Sequence, residues 1–143
     1  MTVRSVRLRV SVHATEDEEK VVTALLNVIP KELRDRVKIE REEYEGHYGN
    51  PILVLTITVE GEDAESVLSY ILSRLDSVDK KLLAASLEER VDKEGSLYFR
   101  LSKQDAYQGR LSVYESDDVI RVSVGFRGKR REAMREYKRR LEG

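Results

Sequence analysis

Val6, Leu8, Val10 and Val12 occupy every second position of one short segment, with Arg7, Arg9 and Ser11 between them. Successive side chains of a strand point to opposite faces, so this alternation describes a β-strand with one dry face and one wet face. It returns at Leu53, Leu55, Ile57 and Val59, at Leu97, Phe99 and Leu101, and at Ile120, Val122, Val124 and Phe126. Strands that keep one face wet belong to antiparallel sheets, because parallel sheets are covered on both sides. The dry faces need a cover. Apolar stripes at helical spacing supply it: Val21, Val22, Leu25, Leu26 and Ile29; Val67, Leu68, Ile71, Leu72 and Leu75; Val78, Leu82, Leu83 and Leu87; Met134, Tyr137 and Leu141.

The punctuation places these elements in order. Thr15 with Glu18 three residues on has the capping-box pattern and opens a helix that ends by Pro30. Residues 37–44 alternate less cleanly and pair with 52–59 in a hairpin. Asp63 and Ser77 are candidate caps of the next two helices. After the strand at 97–101, residues 110–114 and 118–126 read as a second hairpin, followed by a basic helix. A chain in which strands and helices are largely segregated is α+β, with a mainly antiparallel sheet and helices packed on one face. No linker, repeat or low-complexity tract interrupts it, so residues 1–143 are expected to form a single domain.

Composition removes several classes of function. There is no cysteine, which excludes disulfides and thiolate metal sites, and only two histidines, His13 and His47, are present. No run approaches membrane-spanning length, so a soluble, intracellular, cytoplasmic protein is expected. The net charge of −1 conceals segregation: residues 96–143 hold 12 Lys/Arg against 7 Asp/Glu, and residues 127–140 alone hold 8 against 2. A neutral total of this kind does not argue against a polyanion partner.

Three places could carry chemistry. If the apolar sides of the strands face the helices, the opposite sheet face collects Arg7, Arg9, Tyr98, Arg100 and Arg121. Guanidinium forks suit phosphate and a tyrosine ring suits an unpaired base. The plainer reading is a solvated face neutralised by acids such as Glu40 and Glu42. The segment 102–109 offers Lys103 for phosphate, Gln104 for a base edge and Tyr107 for stacking, or else is only a connection. The last helix offers Arg130 and Arg131, with Arg135, Lys138, Arg139 and Arg140 behind them. Such a helix could follow a polyanion, or serve only its own macrodipole. A fourth feature is the Glu-Gly-His-Tyr-Gly-Asn-Pro run at 45–51, a shaped loop presenting His47, Tyr48 and Asn50 either as a hairpin connection or as a recognition element. No nucleophile pattern, phosphate-cradling glycine loop or metal-ligand spacing accompanies these, and no catalytic residue, cofactor or metal is assigned. His13 is expected to fix the turn after the first strand.

Several segments carry a resemblance: 13–20 (HATEDEEK), 45–52 (EGHYGNPI), 87–101, Lys103-Gln104 with Ala106 and Gly109, and 117–120 (DDVI). With them the chain resembles an archaeal RNA-binding family described as a predicted exosome subunit, whose members look like ribosomal large-subunit protein five. The resemblance implies RNA as partner, exosome components as further partners, and a non-catalytic accessory role in RNA processing or degradation. The competing reading is a protein-interaction adaptor that docks through its basic carboxy-terminal helix. Exposed edge strands would also allow a homodimer.

Overall fold

A computed structural model describes residues 3–46 and 48–143. Five strands form one antiparallel sheet in the order β2-β3-β1-β5-β4, with β1 Val3–Val12, β2 Ile39–Glu45, β3 Pro51–Glu60, β4 Leu97–Ser102 and β5 Val119–Phe126. The helices are α1 Glu18–Leu26, α2 Gly61–Arg74, α3 Ser77–Ala85, α4 Leu87–Arg90, α5 Lys103–Tyr107 and α6 Arg130–Glu142, with a 3-10 turn at Lys31–Leu33. One sheet over one continuous core makes a single α+β domain, as the alternation implies. Among the described residues no helix is long and apolar enough to cross a membrane.

The register shows which face is dry. Val6 sits between Val59 and Val124, and Leu8 between Ile57 and Val122, and all six are buried against the helices. Arg7 and Arg9 project from the other side of the same strand and are exposed. The α1 stripe buries Val21, Ala24 and Leu25, the α2 stripe Val67, Leu68 and Ile71. In α3 only Leu83 is buried; Val78 and Leu82, expected in the stripe, face solvent at 69% and 45% exposure. That short helix meets the core along one line and leaves the rest of its girth wet.

The helix starts differ from the expected ones. Asp17, not Thr15, caps α1 by accepting the Glu19 amide, and Asp76, not Ser77, caps α3 by accepting the Asp79 amide. α2 begins at Gly61, so Asp63 lies in its first turn, where it pairs with Arg36. In each case the helix begins near the expected place, and the neighbouring carboxylate or the glycine decides the residue.

The expected second hairpin is not formed. β5 is bonded to β1 on one side and β4 on the other, so no edge of it remains for residues 110–114. Those residues run outside β4 instead, held by an isolated Leu101–Val113 bridge and by the Ser102 and Tyr114 amides, which donate to Ser112 O and Arg100 O at 3.0 Å. Between β4 and this segment lies α5, capped by Ser102, whose hydroxyl accepts the Asp105 amide at 3.0 Å.

α6 closes the core beneath β5 and the turn before β4. Gly95 has φ +88°, and a Cβ there would stand 3.1 Å from that of Ala133, so the turn can approach the helix only as glycine. The buried Tyr137 hydroxyl donates to Gly95 O at 2.7 Å, and its ring meets Phe126 edge-on at 5.8 Å. Tyr137→Phe should keep the packing and orphan that carbonyl, costing about 1–2 kcal/mol in a urea titration. A change below a few tenths would mean that water replaces the bond freely.

Candidate nucleic-acid interface

On the wet face the register sets cations side by side. Arg9 is the cross-strand partner of Arg121, and Arg121 of Arg100, so three guanidiniums form one row over β1, β5 and β4. The next row holds Arg7, Ser123 and Tyr98. Neighbouring strands are about 4.8 Å apart, which puts the row's outer α-carbons roughly 10 Å from each other. Together these residues line a shallow groove of about 540 Å³, whose rim carries Glu89, Arg90 and Glu115.

Directly opposed like charges destabilise a sheet, and none of the four arginines forms an ion pair with a carboxylate among the described residues. Arg100 donates to Ser116 O at 2.9 Å, and Glu115 is taken by Arg90 at 2.6 Å. Glu40 and Glu42 do not neutralise the face. Both stand on β2, with β3 between them and β1. The four arginines thus carry no ion pair among the described residues, while Glu89 and Glu115 line the same groove.

Tyr98 is half exposed at 47% beside this row. Its hydroxyl donates to Asp92 Oδ2 at 3.0 Å, which fixes the end of the side chain. That hydrogen bond, with burial added, pushes the phenol above its ordinary range. Burial pushes Asp92 upward, but the Ser96 amide, the Tyr98 hydroxyl and the Glu94 amide together hold it below the usual carboxylate range. The pair thus keeps one arrangement across neutral pH.

The remaining expected contacts lie elsewhere. Lys103 is no phosphate ligand: it is 8% exposed, and its ammonium donates to Ser11 O at 2.8 Å, to Glu16 at 3.0 Å and to Asp118 at 2.5 Å. All three of its donors are used. His13 joins the cluster, its amide on Glu16 and its Nε2 3.1 Å from Asp118, so it does fix the turn after β1. His13, Glu16 and Asp118 could hold a metal by distance alone, but Lys103 fills the cation's position. Gln104 is exposed in a separate cavity on the α1 side of α5.

The 45–51 run is the β2–β3 turn, closed by the Gly46 amide on Asn50 O at 2.6 Å, with Gly49 at φ +77°. His47 lies outside the described residues. Tyr48 is 88% exposed and Asn50 is also exposed, but the turn begins five residues beyond Thr56, the partner of Arg9. At about 3.4 Å per residue it is roughly 17 Å along the strand from the arginine row.

The basic helix does not join the arginine face either. α6 lies in the helical layer, on the opposite side of the sheet. Arg130 donates to the carbonyls of Glu88 and Val91 and fastens α6 to α4. Arg140 bonds Glu65 and Glu136, and Arg139 also bonds Glu136. Arg131, Arg135 and Lys138 stay exposed without an ion pair among the described residues. The cations therefore occupy two surfaces, not one. Alternation did not point to Arg90, which tertiary packing brings beside the arginine row; residue order alone gave no signal for it.

A family model described as RNA binding matches residues 5–126, which reaches all five strands. The chain belongs to that RNA-binding family. Among relatives in it, an RNA-binding protein of Pyrococcus abyssi is 37% identical over 144 residues, covering 97% of this chain and 94% of that protein. A solved structure of a protein from Archaeoglobus fulgidus superposes with a TM-score of 0.83 at 29% identity, covering 97% of this chain and 99% of that one. A DUF54 protein of Methanothermobacter thermautotrophicus superposes with a TM-score of 0.80 at 30% identity, with 99% of both chains covered. The family match ends before α6, while the alignments to these relatives cover 97–99% of the chain.

Proposed function

We propose that this protein binds RNA on the wet face of its sheet, through phosphate contacts from Arg7, Arg9, Arg100 and Arg121 and base stacking on Tyr98. The observation that carries this reading is the row Arg9–Arg121–Arg100, three opposed cations that form no ion pair with a carboxylate of the described residues. The family match and the name of the Pyrococcus abyssi relative support it. The role is non-catalytic and cytoplasmic, as an accessory to RNA processing or exosome-linked degradation, with exosome components as protein partners and a fold akin to ribosomal large-subunit protein five. A homodimer would form away from β2, since pairing two copies of that edge brings together two strands that each carry Glu40, Glu42, Glu43 and Glu45.

The test is anisotropy of a labelled mixed-sequence RNA over a salt series. Four phosphate contacts to a single strand predict a slope of roughly −3 in log affinity against log salt. Absence of binding at low salt, or a flat slope, removes the reading.

The adaptor reading draws on Arg131, Arg135 and Lys138, which share the exposed side of α6 at helical spacing. It predicts a partner retained after ribonuclease treatment and released when these three are reversed to glutamate.

A further inference from the structure

A cavity of about 760 Å³ opens on the far side of the 112–118 segment from the arginine groove. One wall serves both depressions. Glu115 lines the groove, whereas Tyr114 and Ser116 line the cavity. Arg100 ties them together: its carbonyl accepts the Tyr114 amide at 3.0 Å and its guanidinium donates to Ser116 O at 2.9 Å.

The cavity's chemistry is unlike that of the groove. Its lining holds Glu16, Asp17, Asp105 and Asp118 against Lys20 and Lys103, and the Lys103 ammonium is consumed within the cluster. The acids are engaged too: Asp105 accepts from Arg110 and Ser112, and Asp17 from the Glu19 amide. The rim nevertheless carries two exposed aromatic rings, Tyr107 at 40% and Tyr114 at 55%, from different segments of the chain. Neither packs on another aromatic ring among the described residues, and Lys20 stands 5.9 Å over the Tyr107 ring. The Gln104 side-chain amide faces solvent in the same cavity, with no hydrogen-bond partner among the described residues. Flat aromatic surfaces and a Gln104 amide without a partner suit a planar heterocycle with a donor and an acceptor on one edge.

We infer that the cavity is a base-binding subsite: an unpaired nucleotide whose phosphate is held at Arg100 turns its base over the 112–118 wall, to stack on the rim tyrosines and pair with the Gln104 amide. The inference rests on the sheet-face reading of RNA binding. A glutamine amide pairs in two-pronged fashion with N6 and N7 of adenine, which favours adenine over uracil.

Tyr107→Ala and Tyr114→Ala should each lower affinity for oligoadenylate roughly five- to a hundredfold, with the salt slope unchanged, and Tyr107→Phe should restore it. Oligouridylate should respond less, and an oligomer with abasic positions should bind wild type and variants alike. Free adenosine, which has no phosphate, should shift the NMR signals of Tyr107 and Tyr114 and leave those of Arg7 and Arg9 in place. Equal losses on abasic RNA would overturn the subsite. If RNA binds through the arginines while adenosine and the tyrosine variants do nothing, the subsite is wrong and the sheet-face reading stands. If no RNA binds at all, both fail.

Discussion

The variant carrying Arg9→Ala, Arg100→Ala and Arg121→Ala together is expected to lose RNA affinity by a hundredfold or more at moderate salt while keeping its fold. Each charge-assisted contact is worth about 1.5 kcal/mol, roughly tenfold, and a shared phosphate can couple them. The salt slope should shrink by roughly 2, since each lost single-strand contact removes about 0.7. Stability is expected to hold or rise slightly. The three make no ion pair among the described residues, and removing opposed like charges relieves repulsion between β1, β5 and β4. As a control, Arg131→Ala with Arg135→Ala removes two cations from the other surface and should leave affinity nearly unchanged. Comparable losses in both variants would mean that charge, and not the placement on the sheet, governs binding.

Lys103→Met should do the reverse, weakening the fold and sparing RNA affinity. It leaves Glu16, Asp118 and the Ser11 carbonyl without their shared donor. Removing one partner of a buried pair costs about 3–5 kcal/mol, and the lower end applies because Asp118 is half exposed and can turn to water. Chemical denaturation measures the cost, and anisotropy well below the transition shows whether binding survives. Acid adds a second signature. Burial raises the Asp118 carboxyl, but the hydrogen bond and charge of Lys103, with those of His13, outweigh it and hold the group below its ordinary 3.8. A carboxyl depressed in the folded state stabilises above its unfolded value, and that contribution is lost as pH falls below about 4. The variant should show a smaller acid-limb loss, because only His13 then holds Asp118 down. An unchanged acid limb, or a lost RNA complex, would return Lys103 to the surface role its sequence context suggests.

That residue also marks how far a chain can be interpreted without its fold. Lys103 follows a strand and precedes Gln104 and Asp105, which is the setting of a solvent-facing cation. Its burial depends on Ser11 and Glu16, some ninety residues away in sequence. Arg130 is similar: its basic neighbours suggest a charged surface, while Glu88 and Val91 make it a clamp. Such contacts have no period and leave no local trace. Alternation does leave one, because a strand in a one-sided sheet repeats its environment every second residue. Arg7, Arg9, Tyr98, Arg100 and Arg121 were legible as one face for that reason.

The hairpin at 110–114 failed on the same principle in reverse. Its pattern suits a strand, but strand pairing needs a free edge, and β5 has none once β1 and β4 have taken both sides. Helix existence followed from the apolar stripes, whereas the caps of α1 and α3 turned on which nearby side chain reached the amide.

What the order of residues determined alone is the class of fold, the dry and wet face of each strand, and the segregation of charge, since all three are local periodicities. Only the tertiary structure decided that the cations divide between two layers. Strand order and helix packing are set by which hydrophobic faces can be covered at once, a condition on the whole chain that no single segment contains.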